Sequence, residues 1–136
     1  MARRLLPAIA AFFLCASLSA EPLKEHLWKH RVIVSFSADI TVPERLLLMK
    51  QIAQFECEFR DRDLIHIDLI AGSHDFRVLS QKFSVSSNDF KLVLIGKDGE
   101  VKLRTSNPSL DAVMTLIDSM PMRQRERRNG KCQQDD

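Results

Sequence analysis

Residues 32–36 read Val-Ile-Val-Ser-Phe, an apolar run almost without alternation. A strand with one face in water alternates apolar and polar side chains, whereas a continuous run belongs to a strand covered on both faces. Helices packed on either side of a central sheet are the usual cover for such a strand, so the remainder of the chain has to supply them.

It does so in a regular order. Glu21 to His30 predicts a short helix, with Pro22 in its first turn and Leu23, Leu27 and Trp28 on its buried side. The central strand spans Arg31 to Ser37. Pro43 then opens a long helix reaching about Phe59. Leu48, Ile52, Phe55 and Phe59 share one face of it, and Leu46, Leu47 and Met49 widen that face, so heavy burial is expected. Leu64 to Ile70 is a second strand, with Ile65, Ile67 and Leu69 on one side and Leu64, His66, Asp68 and Ile70 on the other. His74 to Phe83 is a helix carrying Phe76, Leu79 and Phe83. Phe90 to Ile95 is a third strand, and Gly96-Lys97-Asp98-Gly99 turns it back into Val101 to Arg104 as a hairpin. Asn107 and Pro108 are the expected cap and first residue of the last helix, with Leu110, Val113, Met114 and Ile117 as its stripe and Pro121 as its stop. This order is an α/β, thioredoxin-like three-layer sandwich: a mixed sheet of about four strands with flanking helices, and one extra helix in front.

The first twenty residues have the form of a secretory signal. Arg3 and Arg4 precede an apolar run from Leu5 to Leu14, and Ser17, Ser19 and Ala20 suit cleavage after Ala20. The run is too short to span a bilayer comfortably, so no stable membrane insertion is expected after cleavage. The organisation then reads as a signal over 1–20, one domain over 21–122 and a flexible charged tail over 123–136. The formal charge of +2 on the whole chain corresponds to Arg3 and Arg4. The mature protein is therefore near neutral, which gives no general attraction to nucleic acid. Cys15 leaves with the signal, and Cys57 and Cys132 remain as an even pair suited to an oxidising compartment.

Val34-Ser-Phe-Ser-Ala-Asp-Ile-Thr-Val-Pro-Glu-Arg45 resembles the strand-loop-helix of thioredoxins, with Phe36, Ala38 and Pro43 in register. The two cysteine positions of that pattern hold Thr41 and Glu44. Leu94-Ile-Gly-Lys-Asp-Gly-Glu-Val-Lys-Leu-Arg104, followed by Ile117-Asp-Ser-Met-Pro-Met-Arg123, resembles the hallmark blocks of the family catalogued as domain of unknown function 4174. That family is related to the peroxiredoxin-like domains of certain secreted sushi-repeat and matrix-associated proteins. Trp28 with Arg31, and Arg60, Asp61, Arg62 and Asp63, fit the same resemblance. Its motif residues here are Arg31, Arg60, Asp61, Arg62, Lys97, Asp98, Gly99, Arg104, Met120, Pro121, Met122 and Arg123. The resemblance implies a thioredoxin-like fold and export, and it brings no established activity.

Thiol exchange needs a thiolate at an accessible helix start, which Thr41 and Glu44 cannot supply. The thioredoxin resemblance also calls for a cis proline near Lys91, and no proline lies between Val85 and Ile95. A carboxylate at Glu44 suits the positive end of the helix dipole without becoming a general base. Cys57 and Cys132 admit three readings: a structural disulfide, two inert thiols, or a redox-active pair. His26 and His30 stand four residues apart, and His66 and Asp68 share a strand face, but neither pair has a third ligand nearby, so no metal and no cofactor is expected. Gly96 to Gly99 is a hairpin turn or an anion cradle, the hairpin being preferred because Asp98 would repel an anion. Met120-Pro-Met-Arg123 is a helix stop or a docking surface.

The resulting expectation is an exported, non-catalytic binding module, periplasmic or extracellular. Its groove is lined by Asp39, Thr41, Pro43, Glu44, Arg45 and Lys91 and holds a protein or peptide partner. The alternative is an atypical thiol-disulfide or peroxide oxidoreductase using Cys57 and Cys132.

Overall fold

The computed structural model describes residues 21–127. Its strands are β1 (Arg31–Ser37), β2 (Leu64–Ile70), β3 (Lys91–Ile95) and β4 (Val101–Thr105). Its helices are α1 (Pro43–Gln54), α2 (Glu56–Asp61), α3 (His74–Phe83), α4 (Leu110–Asp118) and α5 (Pro121–Glu126). The strands form one sheet in the order β2-β1-β3-β4. β1 runs parallel to β2 and antiparallel to β3, and β3 runs antiparallel to β4. All seven residues of β1 are buried, as the unbroken apolar run demands.

The two faces of the sheet carry two separate cores. Ile33, Leu64, Leu92 and Leu94 meet Leu48 of α1, Phe59 of α2 and Leu110, Val113 and Ile117 of α4. Val32, Val34, Phe36, Leu69, Val93 and Ile95 meet Phe76, Leu79 and Phe83 of α3. On that second face the Phe36 ring meets Phe76 edge-on, with centroids 5.6 Å apart. The expected three-layer α/β sandwich with a mixed sheet is the architecture found, and the strand-face assignments in β2 hold.

Several local expectations are corrected. The predicted helix over 21–30 is a single 3-10 turn, Lys24–His26. Trp28 adopts φ +63°, which ends any helix, and its N–H donates to Lys97 O at 2.7 Å. Leu27 and Trp28 are exposed, 43% and 64%, rather than buried. The long helix to Phe59 is two helices, because Phe55 takes ψ 34° and breaks the ladder between them. Only Leu48 of α1 is fully buried, while Leu46, Leu47 and Met49 stand off the stripe that meets the sheet. Asn107 does not cap α4. Its Oδ1 accepts from Ser109 N, and the Leu110 N–H is taken by Oε1 of Gln51, reaching across from α1 at 3.1 Å. Pro121 does not only stop α4. It also opens α5, so the boundary placed at 122/123 falls inside a helix and the domain runs at least to Glu126.

The hairpin at Gly96 to Gly99 is as expected, closed by Gly96 N to Glu100 O at 2.9 Å. Gly99 has φ +81°, and an added Cβ would stand 3.0 Å from Leu27 Cδ1. Gly99→Ala should therefore lower stability by about 1 kcal/mol or more, read as a reduced urea midpoint at unchanged slope. An unchanged midpoint would show that the turn relaxes into another conformation.

Candidate functional site

Parallel pairing of β1 and β2 gives the sheet two distinct ends. Where β1 finishes, the chain leaves through 38–42 and enters α1. Lys91, paired with Phe36, stands at this same end. Asp39 organises the loop: its Oδ1 accepts from Thr41 N at 2.7 Å and from Thr41 Oγ1 at 2.5 Å. The Thr41 hydroxyl, aided by its backbone N–H, holds the exposed Asp39 carboxyl below its ordinary value. Thr41, Pro43 and Glu44 face solvent. Arg45 turns inward, with Nε and Nη2 on Asp68 Oδ2 at 2.9 and 2.6 Å and Nη1 on the Ile40 carbonyl at 3.0 Å. Lys91 Nζ bonds Ser106 Oγ. Of the six expected groove residues, Arg45 is thus committed to the fold, while Asp39, Thr41 and Glu44 remain at the surface.

Beneath this loop lies a polar chain that sequence reasoning did not assemble. Ser35 pairs with Asp68 in the β1/β2 register, and its fully buried Oγ donates to Asp68 Oδ1 at 3.0 Å. His66 Nε2 lies 2.7 Å from the same Oγ. Asp68 is the acceptor here, which assigns the Nε2–H tautomer to His66. These are the residue types of a hydrolytic triad in the wrong order. The hydroxyl sits between imidazole and carboxylate and is spent on the carboxylate, so His66 cannot take its proton. Only the β1/β2 register could have revealed the arrangement.

The opposite end of the sheet gathers most of the family-motif residues. Arg31, the first residue of β1, is 1% exposed. Its Nη1 donates to Arg62 O at 2.8 Å and to Glu126 Oε2 at 2.9 Å, and Nη2 donates to Glu126 Oε1 at 3.3 Å. Lys97 Nζ bridges Asp63 and Glu126 at 2.8 and 2.7 Å. Arg62 forks onto Asp118. Arg123, itself 3% exposed, joins Asp118 to the Asp61 carboxylate and carbonyl. Arg31, Arg62, Lys97 and Arg123 thus face Asp61, Asp63, Asp118 and Glu126, charge for charge. Burial opposes ionisation of Asp118, yet hydrogen bonds from Arg62 and Arg123 outweigh it and hold that carboxyl below its ordinary value. Glu126 is held down in the same way by Arg31 and Lys97. The tail expected from 123 is therefore, through Glu126, a helix clasped to the body by ion pairs.

The other motif residues serve elsewhere. Asp98 pairs with Lys102 in the turn at 2.8 Å. Arg104 bonds the Phe83 carbonyl and covers its ring. Met120 packs on the α4 core, while Met122 and Arg60 are exposed.

The sequence pattern of the domain of unknown function DUF4174 matches residues 22–126. The chain belongs to this family. The DUF4174 match ends at Glu126, the carboxylate that closes the clasp. No curated protein sequence matches the chain. Among solved structures it is similar to the Plasmodium yoelii thioredoxin peroxidase I, with TM-score 0.55 and 15% identity over 81% of this chain and 82% of that one. It is also similar to Plasmodium yoelii Prx1a modified at the N-terminus, with TM-score 0.56 and 15% identity over 82% and 83%. At that identity the likeness concerns the fold, which is thioredoxin-like as expected.

His26 Nδ1 and His30 Nδ1 do meet, at 3.2 Å, despite the missing helix. Among the described residues no group of three or more His, Cys, Asp or Glu side chains could hold a metal ion. Cys57, half-buried in α2, is disulfide-bonded. Cys132, its expected partner, lies outside the described residues, as do the signal segment and the end of the tail.

Two outcomes follow from these contacts. Arg123→Ala takes one cation from each of two partly buried carboxylates, Asp118 keeping Arg62, and should cost about 3 kcal/mol, with Arg123→Lys recovering little because one ammonium cannot span both partners. Urea unfolding followed by circular dichroism measures both. Burial also pushes the His66 pKa below 6.5, with Asp68 opposing and Arg45 adding. Below pH 6.5 the unfolded chain therefore binds the proton first. Stability is full above that pH and declines under it, by at most about 1.4 kcal/mol per pH unit, until the folded-state pKa is passed. His66→Gln should flatten this decline and leave the later loss, below about pH 4.5, that comes from protonating Asp118 and Glu126.

Proposed function

We propose that this chain is an exported, non-catalytic thioredoxin-like module that binds a protein or peptide at the helix mouth. One observation carries the reading. Beside the sulfur-free positions Thr41 and Glu44, four large apolar side chains stand in water: Ile40 at 63%, Leu46 at 52%, Leu47 at 50% and Met49 at 38%. Exposed apolar groups gathered on one loop and the helix it feeds are characteristic of an interaction surface. Asp39 and Glu44 give this surface an acidic rim, which suits a partner segment with apolar side chains flanked by basic ones. Export is supported by the form of residues 1–20 and by the disulfide at Cys57, a bond that persists in oxidising compartments such as the periplasm or the extracellular space. No helix of the described residues is long and apolar enough to cross a membrane.

Photo-crosslinking tests the surface. A benzophenone side chain at Ile40 of the full-length chain should give a discrete adduct in the exported fraction, and Leu47→Asp should reduce it about tenfold or more. An adduct that ignores Leu47→Asp, or its absence, removes the surface from consideration. Enzymatic reduction of insulin or consumption of hydroperoxide, abolished by Cys57→Ala, would put the oxidoreductase reading in its place. Recovery of the protein in the cytosol with residues 1–20 attached would end the export reading.

A further inference from the structure

The clasp end of the sheet holds a cavity of about 330 Å³ between the β3–β4 turn and the α4–α5 junction. Its wall is apolar, formed by Leu116, Met120, Pro121 and Met122, and Arg31 and Lys97 line it beside them. Both cations are more than nine-tenths buried. Neither has spent its donors. Nη1 of Arg31 gives both N–H groups and Nη2 gives one, so Nε–H and the second Nη2–H have no acceptor among the described residues. Lys97 gives two of its three N–H groups, to Asp63 and Glu126. Two largely desolvated cations, with three N–H groups left over between them, thus belong to residues that line one cavity. A cationic donor with capacity to spare is best met by an anionic oxygen, which forms a shorter and stronger hydrogen bond than a neutral one.

We infer that this cavity is a binding site for a small carboxylate with an unbranched apolar tail. The carboxylate meets the spare N–H groups of Arg31 and Lys97. The tail lies along Met120 and Met122, whose flexible thioethers accommodate a chain of variable length. Asp98 and Lys102, also at the cavity, neutralise one another at 2.8 Å, so they neither repel nor attract the ligand's charge strongly. Four carboxylates already balance the four clasp cations, so selectivity rests on unfilled hydrogen bonds and not on net charge. The site lies at the end of the sheet opposite the helix mouth and does not depend on the function proposed there.

Octanoate is the probe, with octanol and acetate as controls, read on the methionine methyl resonances of the oxidised full-length mature protein. Octanoate should shift the Met120 and Met122 methyls saturably. Octanol and acetate should each bind at least about tenfold more weakly, because each lacks one half of the recognition. Lys97→Met should abolish selection for the carboxylate. Since that variant also opens the clasp, Met122→Asp provides the independent arm: it touches no clasp contact and sets a like charge on the cavity wall, and it should weaken octanoate at least about tenfold. No saturable shift, equal binding of octanoate and octanol, or octanoate binding untouched by Met122→Asp would each overturn the assignment.

Discussion

A guanidinium at the first position of a strand covered on both faces is the constraint to which much of this structure answers. Arg31 is almost wholly withdrawn from water, so acceptors have to come to it, and they come from the α2–β2 junction and from α5. Glu126 in turn recruits Lys97, and Asp118 joins Arg62 to Arg123. Such a balanced network adds little net stability over an apolar alternative, because every ion in it was desolvated. Its removal in part is severe, because the survivors stay buried. Its effect is to specify position. α5 is too short to hold itself by packing, and the ion pairs place it at one site on the body.

The sheet divides its roles between its ends. One end is closed by charge, and nearly every motif residue there is consumed in intramolecular contacts. The other end is open, with an organised acidic loop, an uncapped helix start and apolar side chains in water. The Ser35-His66-Asp68-Arg45 chain runs beneath that open end and anchors the loop through the Ile40 carbonyl. Surface variability and core rigidity can therefore coexist at the mouth, since the residues that fix the loop are not those it presents.

Periodicity made the strands, the sheet's two-sided burial and the α3 and α4 stripes legible, because each depends on spacing along one segment. The misjudged features depend on contacts between segments. Gln51 supplies the acceptor for the α4 start from another helix, which no local capping signal reveals. Pro121 opens a further helix instead of ending the ordered chain, because Arg123 and Glu126 find partners as many as 95 residues away. The breadth of apolar residues on α1 suggested burial, but the helix lies on the sheet along one narrow line. The missing thiols were readable position by position, and so was the fold resemblance. The clasp was not, although most of its members had been singled out, because nothing in the sequence says that motifs so far apart meet.

The chain holds one tryptophan and no tyrosine. Trp28 lies outside both cores, 64% exposed, on a left-handed residue whose N–H is fastened to the carbonyl of Lys97. Its emission is accordingly blind to the packing of either hydrophobic layer. What its fluorescence follows is the seating of the lead-in segment on the β3–β4 turn, which makes an ordinary optical signal a local gauge of the charged end of the molecule.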